Sequence, residues 1–159
     1  IIDKNELGQI FTIDMIRVNL GLFQEKVNVI ADLAPHDFSM LLYYLNGMPL
    51  YARATGKSYI RDGIEDDAHI NLEFEGSIMA NLHVSWLDPV KIRRTSIVGN
   101  KKIQTKKRPC KEFMLWKRQG KKVIKLLKVL VEPLDLRPVK QNQKQQSKFN
   151  TTFFCQNPI

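Results

Sequence analysis

The stretch Ala68-His69-Ile70-Asn71-Leu72-Glu73-Phe74-Glu75-Gly76-Ser77-Ile78-Met79-Ala80-Asn81-Leu82-His83-Val84-Ser85-Trp86 decides the fold class. Ala68, Ile70, Leu72 and Phe74 alternate with His69, Asn71 and Glu73. Ile78, Ala80, Leu82, Val84 and Trp86 alternate with Met79, Asn81, His83 and Ser85. Successive side chains of a strand point to opposite faces, so this is a β-hairpin with one dry face and one polar face. The dry faces of the two strands coincide in only one parity of register. A three-residue Glu75-Gly76-Ser77 loop, with glycine for the left-handed position, gives that parity and sets His69 opposite His83.

Outward from the hairpin, the elements alternate in kind. Gly8 opens a β-branched run from Ile10 to Val18 that predicts a strand. Asn19-Leu20-Gly21 breaks it, and a loop runs to about Asn28. The spacing of Phe38, Leu41, Leu42 and Leu45 (i, i+3, i+4, i+7) predicts a helix from Asp32 to Leu45. Pro35 is tolerated in a first turn, which sets the start near Asp32. Asn46-Gly47 ends the helix. Short strands are expected over Leu50–Thr55 and Arg93–Val98, the second closed by Gly99. The expected fold class is α+β: an open, mostly antiparallel sheet with helices packed on one face.

The chain has 159 residues, enough for one domain, and a formal net charge of +9. That charge is unevenly placed. Residues 1–100 hold 9 Lys and Arg against 13 Asp and Glu, whereas residues 101–159 hold 16 against 3. A basic surface for nucleic acid therefore finds no support in the first hundred residues, and a basic tail explains only the last third. No apolar run approaches the roughly 20 residues of a membrane span. No nucleic-acid or membrane partner is expected. No signal peptide is expected, and the chain, which starts at Ile1, reads as the inside of a longer protein. Cys110 and Cys155 form neither a disulfide framework nor a metal-ligand spacing, which fits a cytoplasmic location.

Four places could carry chemistry. Asp32 and His36 are i and i+4 on one helix face, turned well away from the Phe38 stripe. A carboxylate beside an imidazole can orient a general base. On these residues alone, an N-capping Asp32 and a surface histidine is the simpler reading. His69 and His83 face each other across the hairpin, but Asn71 and Asn81 are the next pair. Two ligands do not close a zinc site, so no metal is expected and a polar sheet face or oligomer interface is preferred. Lys91, Arg93 and Arg94 near a strand end suit either an anionic substrate or solvent. Lys121–Val131 alternates lysines and aliphatics in a pattern that serves a basic amphipathic helix or a half-buried strand. No glycine-rich phosphate loop and no G-x-S-x-G is present.

Several blocks together resemble one family. They are Gly8–Val18, Arg17–Phe23, Asn28-Val29-Ile30-Ala31-Asp32-Leu33-Ala34-Pro35-His36-Asp37, Gly63–Ala68, Ser85–Lys91 and Ile97-Val98-Gly99. In this order, over about residues 5–103, they resemble the carboxy-terminal substrate domain of the glucose–fructose oxidoreductase, inositol dehydrogenase and rhizopine-catabolism (Gfo/Idh/MocA) family. The resemblance implies NAD- or NADP-dependent oxidation or reduction of a sugar, sugar-nucleotide or cyclitol hydroxyl. It implies His36 as acid/base with Asp32 as its partner; Arg17, Asn19 and Asn28, at loop edges, are candidate substrate contacts. The cofactor is expected on an amino-terminal Rossmann domain absent from this chain, so the chain alone should bind none. A homo-oligomer formed through the sheet is also expected. Residues 1–136 are expected to form the substrate and oligomerisation domain, and 137–159 a Lys/Gln-rich disordered tail. Past Lys102 the resemblance fades, which suggests a truncated or frame-disrupted end. The alternative function is a non-catalytic oligomerisation module or a remnant of such an enzyme.

Overall fold

The computed structural model describes residues 4–21, 23–106, 112–131 and 137–138. After a single turn, α1 (Lys4–Leu7), the chain runs β1 (Ile10–Val18), α2 (Val29–Leu45), β2 (Tyr51–Lys57), β3 (Asp67–Phe74), β4 (Ile78–Ser85), β5 (Ile92–Gly99), β6 (Ile103–Lys106) and α3 (Glu112–Val131). A two-residue strand, β7 (Arg137–Pro138), comes last. The strands form one open sheet in the order β6-β5-β1-β4-β3-β2-β7. The β1–β4 pair is parallel and every other pair is antiparallel. This is the expected α+β class.

The hairpin register is the one that the alternation requires: Ala68 faces Val84, His69 faces His83, and Phe74 faces Ile78 across the turn. Gly76 and Ser77 both take positive φ, 79° and 58°, so the turn needs a left-handed serine beside the glycine. Ala68, Ile70, Leu72, Ala80, Leu82 and Val84 are all buried, and so are Ile13 and Met15 of β1. Phe38, Leu41 and Leu42 of α2 pack on this face.

α2 departs from expectation in two ways. It begins at Val29 rather than Asp32, because Asn28 and not Asp32 is the N-cap: the Asn28 side chain accepts the Ala31 N–H at 3.0 Å. Pro35 consequently sits in the second turn, where it has no N–H to offer the Ala31 carbonyl. The helix is also buried on more than one stripe. Met40 and Tyr44 are buried as well, because α3 lies against α2 and brings Val123, Leu126 and Leu130 into the same core. The basic amphipathic stretch is thus a helix whose apolar face is used by this domain, with Lys121, Lys125 and Lys128 outside.

The charge run after Gly99 contains an unexpected strand. Gly99 and Lys102 close a tight turn (N–H to carbonyl, 3.0 Å), and β6 returns along β5 as a lysine-bearing edge. Gly99 is required sterically, since a Cβ there would stand 2.2 Å from the Leu7 carbonyl oxygen. Of the expected tail, Arg137 and Pro138 pair with β2; 139–159 lie outside the described residues.

Candidate active site

The end of β1, the first half of α2, residues 63–67 and Trp86 meet through a continuous set of hydrogen bonds. Trp86, 2 % exposed, follows β4. Its indole Nε1–H donates to Asp32 Oδ2 at 3.0 Å, and its ring stands edge-on to Phe23, with centroids 6.1 Å apart. Its backbone N–H donates to the Asp66 carbonyl (3.0 Å), and its carbonyl accepts the Gly21 N–H (3.2 Å). A Cβ on Gly21 would lie 3.3 Å from Trp86 Cδ1 and 2.9 Å from Asn19 Nδ2, so glycine lets this loop run close under the indole.

The start of α2 is tied to the same loop. Asn28 Nδ2 donates to Glu65 Oε2 (2.9 Å), and the Val29 N–H donates to the Glu65 carbonyl (2.9 Å). Asp66 is buried, and its Oδ2 accepts the Tyr59 and Ile60 N–H groups at 2.8 and 2.7 Å. Arg17 and Asp37 fix the helix from the sheet side. Both are buried, and the guanidinium grips the carboxylate through Nε (3.1 and 3.0 Å) and Nη2 (2.8 Å). This bidentate geometry holds α2 in rotation and translation against β1.

The five expected site residues therefore separate. His36 is exposed on α2, one turn beyond Asp32. Asp32 is half-buried and turned to the Trp86 indole. Asn19 is half-buried beside Gly21, with its N–H donated to the Ser85 carbonyl (3.1 Å). Arg17, expected at the substrate, has its charge committed to Asp37. Asn28, expected there too, has both side-chain ends occupied by the helix start and Glu65. Both side chains tie α2 to the elements around it.

Sequence reasoning missed Asp37, Glu65, Asp66 and the Trp86 indole as parts of this network. One signal was available. Arg17 shares the strand parity of Ile13 and Met15, and Asp37 lies one turn before Leu41, so both charges sit on core faces and need each other. Among the other expected cations, Arg93 stands opposite Arg17 in the sheet, and its buried Nε has no partner among the described residues.

The sequence profile of the GFO/IDH/MocA C-terminal domain matches residues 1–103, about two thirds of the chain. The chain belongs to the Gfo/Idh/MocA family. Its fold is similar to that of several solved structures. UDP-N-acetylglucosamine 3-dehydrogenase GnnA from Acidithiobacillus ferrooxidans matches at TM-score 0.58 and 22 % identity, over 65 % of this chain and 33 % of that one. GenD2 from gentamicin A biosynthesis, solved in complex with NAD, matches at TM-score 0.60 and 15 % identity, over 86 % of this chain and 50 % of that one. A myo-inositol dehydrogenase from Corynebacterium glutamicum matches at TM-score 0.59 and 16 % identity, over 67 % and 36 %. This Gfo/Idh/MocA domain thus spans between a third and a half of each of these proteins. The GenD2 likeness reaches past residue 103, so fold similarity extends beyond the stretch that the profile matches. No curated protein matched the chain. Among the described residues, no helix is long and apolar enough to cross a membrane.

A dinucleotide's pyrophosphate needs unengaged backbone N–H groups at a glycine-rich helix start. At the start of α2 the Val29, Ala31 and Asp32 N–H groups already donate to Glu65 and Asn28, and no glycine closely precedes Val29, so this helix start lacks the glycine-rich phosphate cradle.

Proposed function

We propose that this domain supplies the substrate side and the acid–base group of an oxidoreductase acting on a sugar, sugar-nucleotide or cyclitol hydroxyl, with NAD or NADP held by an amino-terminal nucleotide-binding domain. The observation that carries this reading is an exposed His36 on a helix locked from three directions: by Asn28 and Glu65 at its start, by Arg17 below, and by Trp86 through Asp32. An imidazole that must meet a hydroxyl in one geometry needs that rigid mount.

In this reading His36 accepts the hydroxyl proton during oxidation and returns it during reduction. Asp32, one helical turn earlier, accepts the Trp86 indole N–H and so ties this part of the helix to the end of β4. Arg17 and Asn28 are positioning residues. Asn19, at the lip of the same network, has an amide that can meet substrate hydroxyls. The cofactor, when bound by its own domain, supplies the hydride chemistry, and the chain alone is expected to show no saturable NADH binding by fluorescence.

The test is His36→Ala in a polypeptide that joins this chain to a family nucleotide-binding domain. Turnover should fall roughly 100- to 10,000-fold, while stability changes by no more than about 0.5 kcal/mol because the side chain is exposed. Near-normal turnover would remove His36 from the mechanism. A second reading, packing of the open sheet face against another copy, is favoured by Tyr51, Met79 and Ile92, which stand exposed on that face. Sedimentation velocity of the chain decides it.

A further inference from the structure

The sheet face away from α2 carries a separate cluster. Asp67 and His69 lie two residues apart on β3 and therefore share this face. The register sets His83 of β4 opposite His69. The two imidazoles stack, with centroids 4.2 Å apart and planes within 7°. One carboxylate reaches both rings: Asp67 Oδ2 is 3.0 Å from His83 Nε2, and Asp67 Oδ1 is 3.9 Å from His69 Nε2. One donor atom from each of the three residues lies within 4.8 Å of the others. Asp67 supplies the third ligand that the paired histidines lacked in the sequence.

We propose that Asp67, His69 and His83 form a binding site for a divalent transition metal, best suited to Zn²⁺, with a fourth position open to water. Two imidazole nitrogens and a carboxylate oxygen make a donor set that zinc accepts, whereas magnesium and calcium favour oxygen alone. Zinc bonds of 2.0–2.1 Å place tetrahedral ligand atoms about 3.3 Å apart, close to the two spacings from Asp67. The stacked rings must turn for their lone pairs to converge, and the histidine and aspartate terminal torsions are broad enough for that. The surroundings hold the site in place without blocking it. Asn71 Nδ2 donates to Asn81 Oδ1 (2.9 Å) and Asn81 Nδ2 to Asp14 Oδ1 (2.8 Å), a chain that ties β3, β4 and β1 together on the same face. The Asp67, His83 and His69 side chains are 26 %, 31 % and 63 % exposed, so an ion can enter directly from solvent. The site joins β3 to β4 and lies across the sheet from His36, so it is independent of the oxidoreductase reading.

The test titrates the full chain, stripped with EDTA, with zinc chloride alone by isothermal calorimetry. One zinc per chain is expected, with a zinc-dependent rise in melting temperature. Asp67→Asn, His69→Gln and His83→Gln should each weaken binding by at least about 100-fold, since loss of a ligand should exceed the loss of an outer-shell partner. The Cys110→Ser/Cys155→Ser double variant should bind as the parent does. Absence of saturable binding, binding that survives the three ligand variants, or binding lost with the cysteines would each overturn the site. His69→Gln changes the most exposed member, so if the other two variants unfold in EDTA this one still decides the outcome.

Discussion

The two faces of the sheet are built from the same strands and meet opposite demands. On the helix-covered face, Ile70, Leu72, Leu82 and Val84 close against Phe38, Leu41 and Leu42, and most polar groups admitted there have fixed partners, Arg17 with Asp37 and Asp66 Oδ2 with the Tyr59 and Ile60 N–H groups, Arg93 Nε and Asp66 Oδ1 being the exceptions among the described residues. On the open face, His69, His83, Asn71 and Asn81 pair with one another within reach of water. The comparison teaches that polarity on the covered face sets geometry, because a buried charge without its partner is costly, whereas polarity on the open face remains available to ligands or partners.

Truncation on the covered face should have the largest effect. Phe38→Ala should cost about 3–5 kcal/mol in urea denaturation, since the ring is fully buried between α2 and the sheet. Asp37→Ala should cost about 3–5 kcal/mol by stranding the Arg17 charge, and Arg17→Met/Asp37→Leu should recover most of that. If the double variant is as unstable as Asp37→Ala, the pair does more than neutralise itself. Leu126→Ala tests whether α3 belongs to the core; a loss of about 2–5 kcal/mol is expected, and a neutral result would detach the helix. Asp32→Asn keeps an acceptor for the Trp86 indole while losing the charge, so a cost near 1 kcal/mol is expected from thermal melts. Asn71→Ala, on the open face, should stay within about 0.5 kcal/mol. A loss there comparable to Phe38→Ala would dissolve the contrast between the faces.

Much of this contrast was legible in the sequence where a period was present. Strict alternation across Ala68–Trp86 set the hairpin, its register and its two faces, because only one parity joins the apolar sides. The α2 stripe located Phe38, Leu41 and Leu42 in the core. Its start lies earlier than Pro35 suggests, because Asn28 caps the helix through the Ala31 N–H and Pro35 is carried inside it. The strand β6 was hidden in a lysine run, since an edge strand of four residues buries too little to show a pattern. In the candidate site, the motif carrying Asp32 and His36 was visible. The Asp32–Trp86 bond was not, because it joins positions far apart in the chain. Asp67 as a third ligand needed only one further step along the same strand face.

The central claim is that the rigidly mounted His36 handles the substrate proton. Its most direct test is the pH dependence of kcat/KM for the two-domain enzyme and its His36→Ala variant, measured in the oxidative direction over a range in which both stay folded. The account predicts that the parent rate falls on the acid side as a single base becomes protonated, and that this limb vanishes in the variant together with most of the rate. A variant that keeps the same limb at a similar rate would assign the base to another residue and contradict the account.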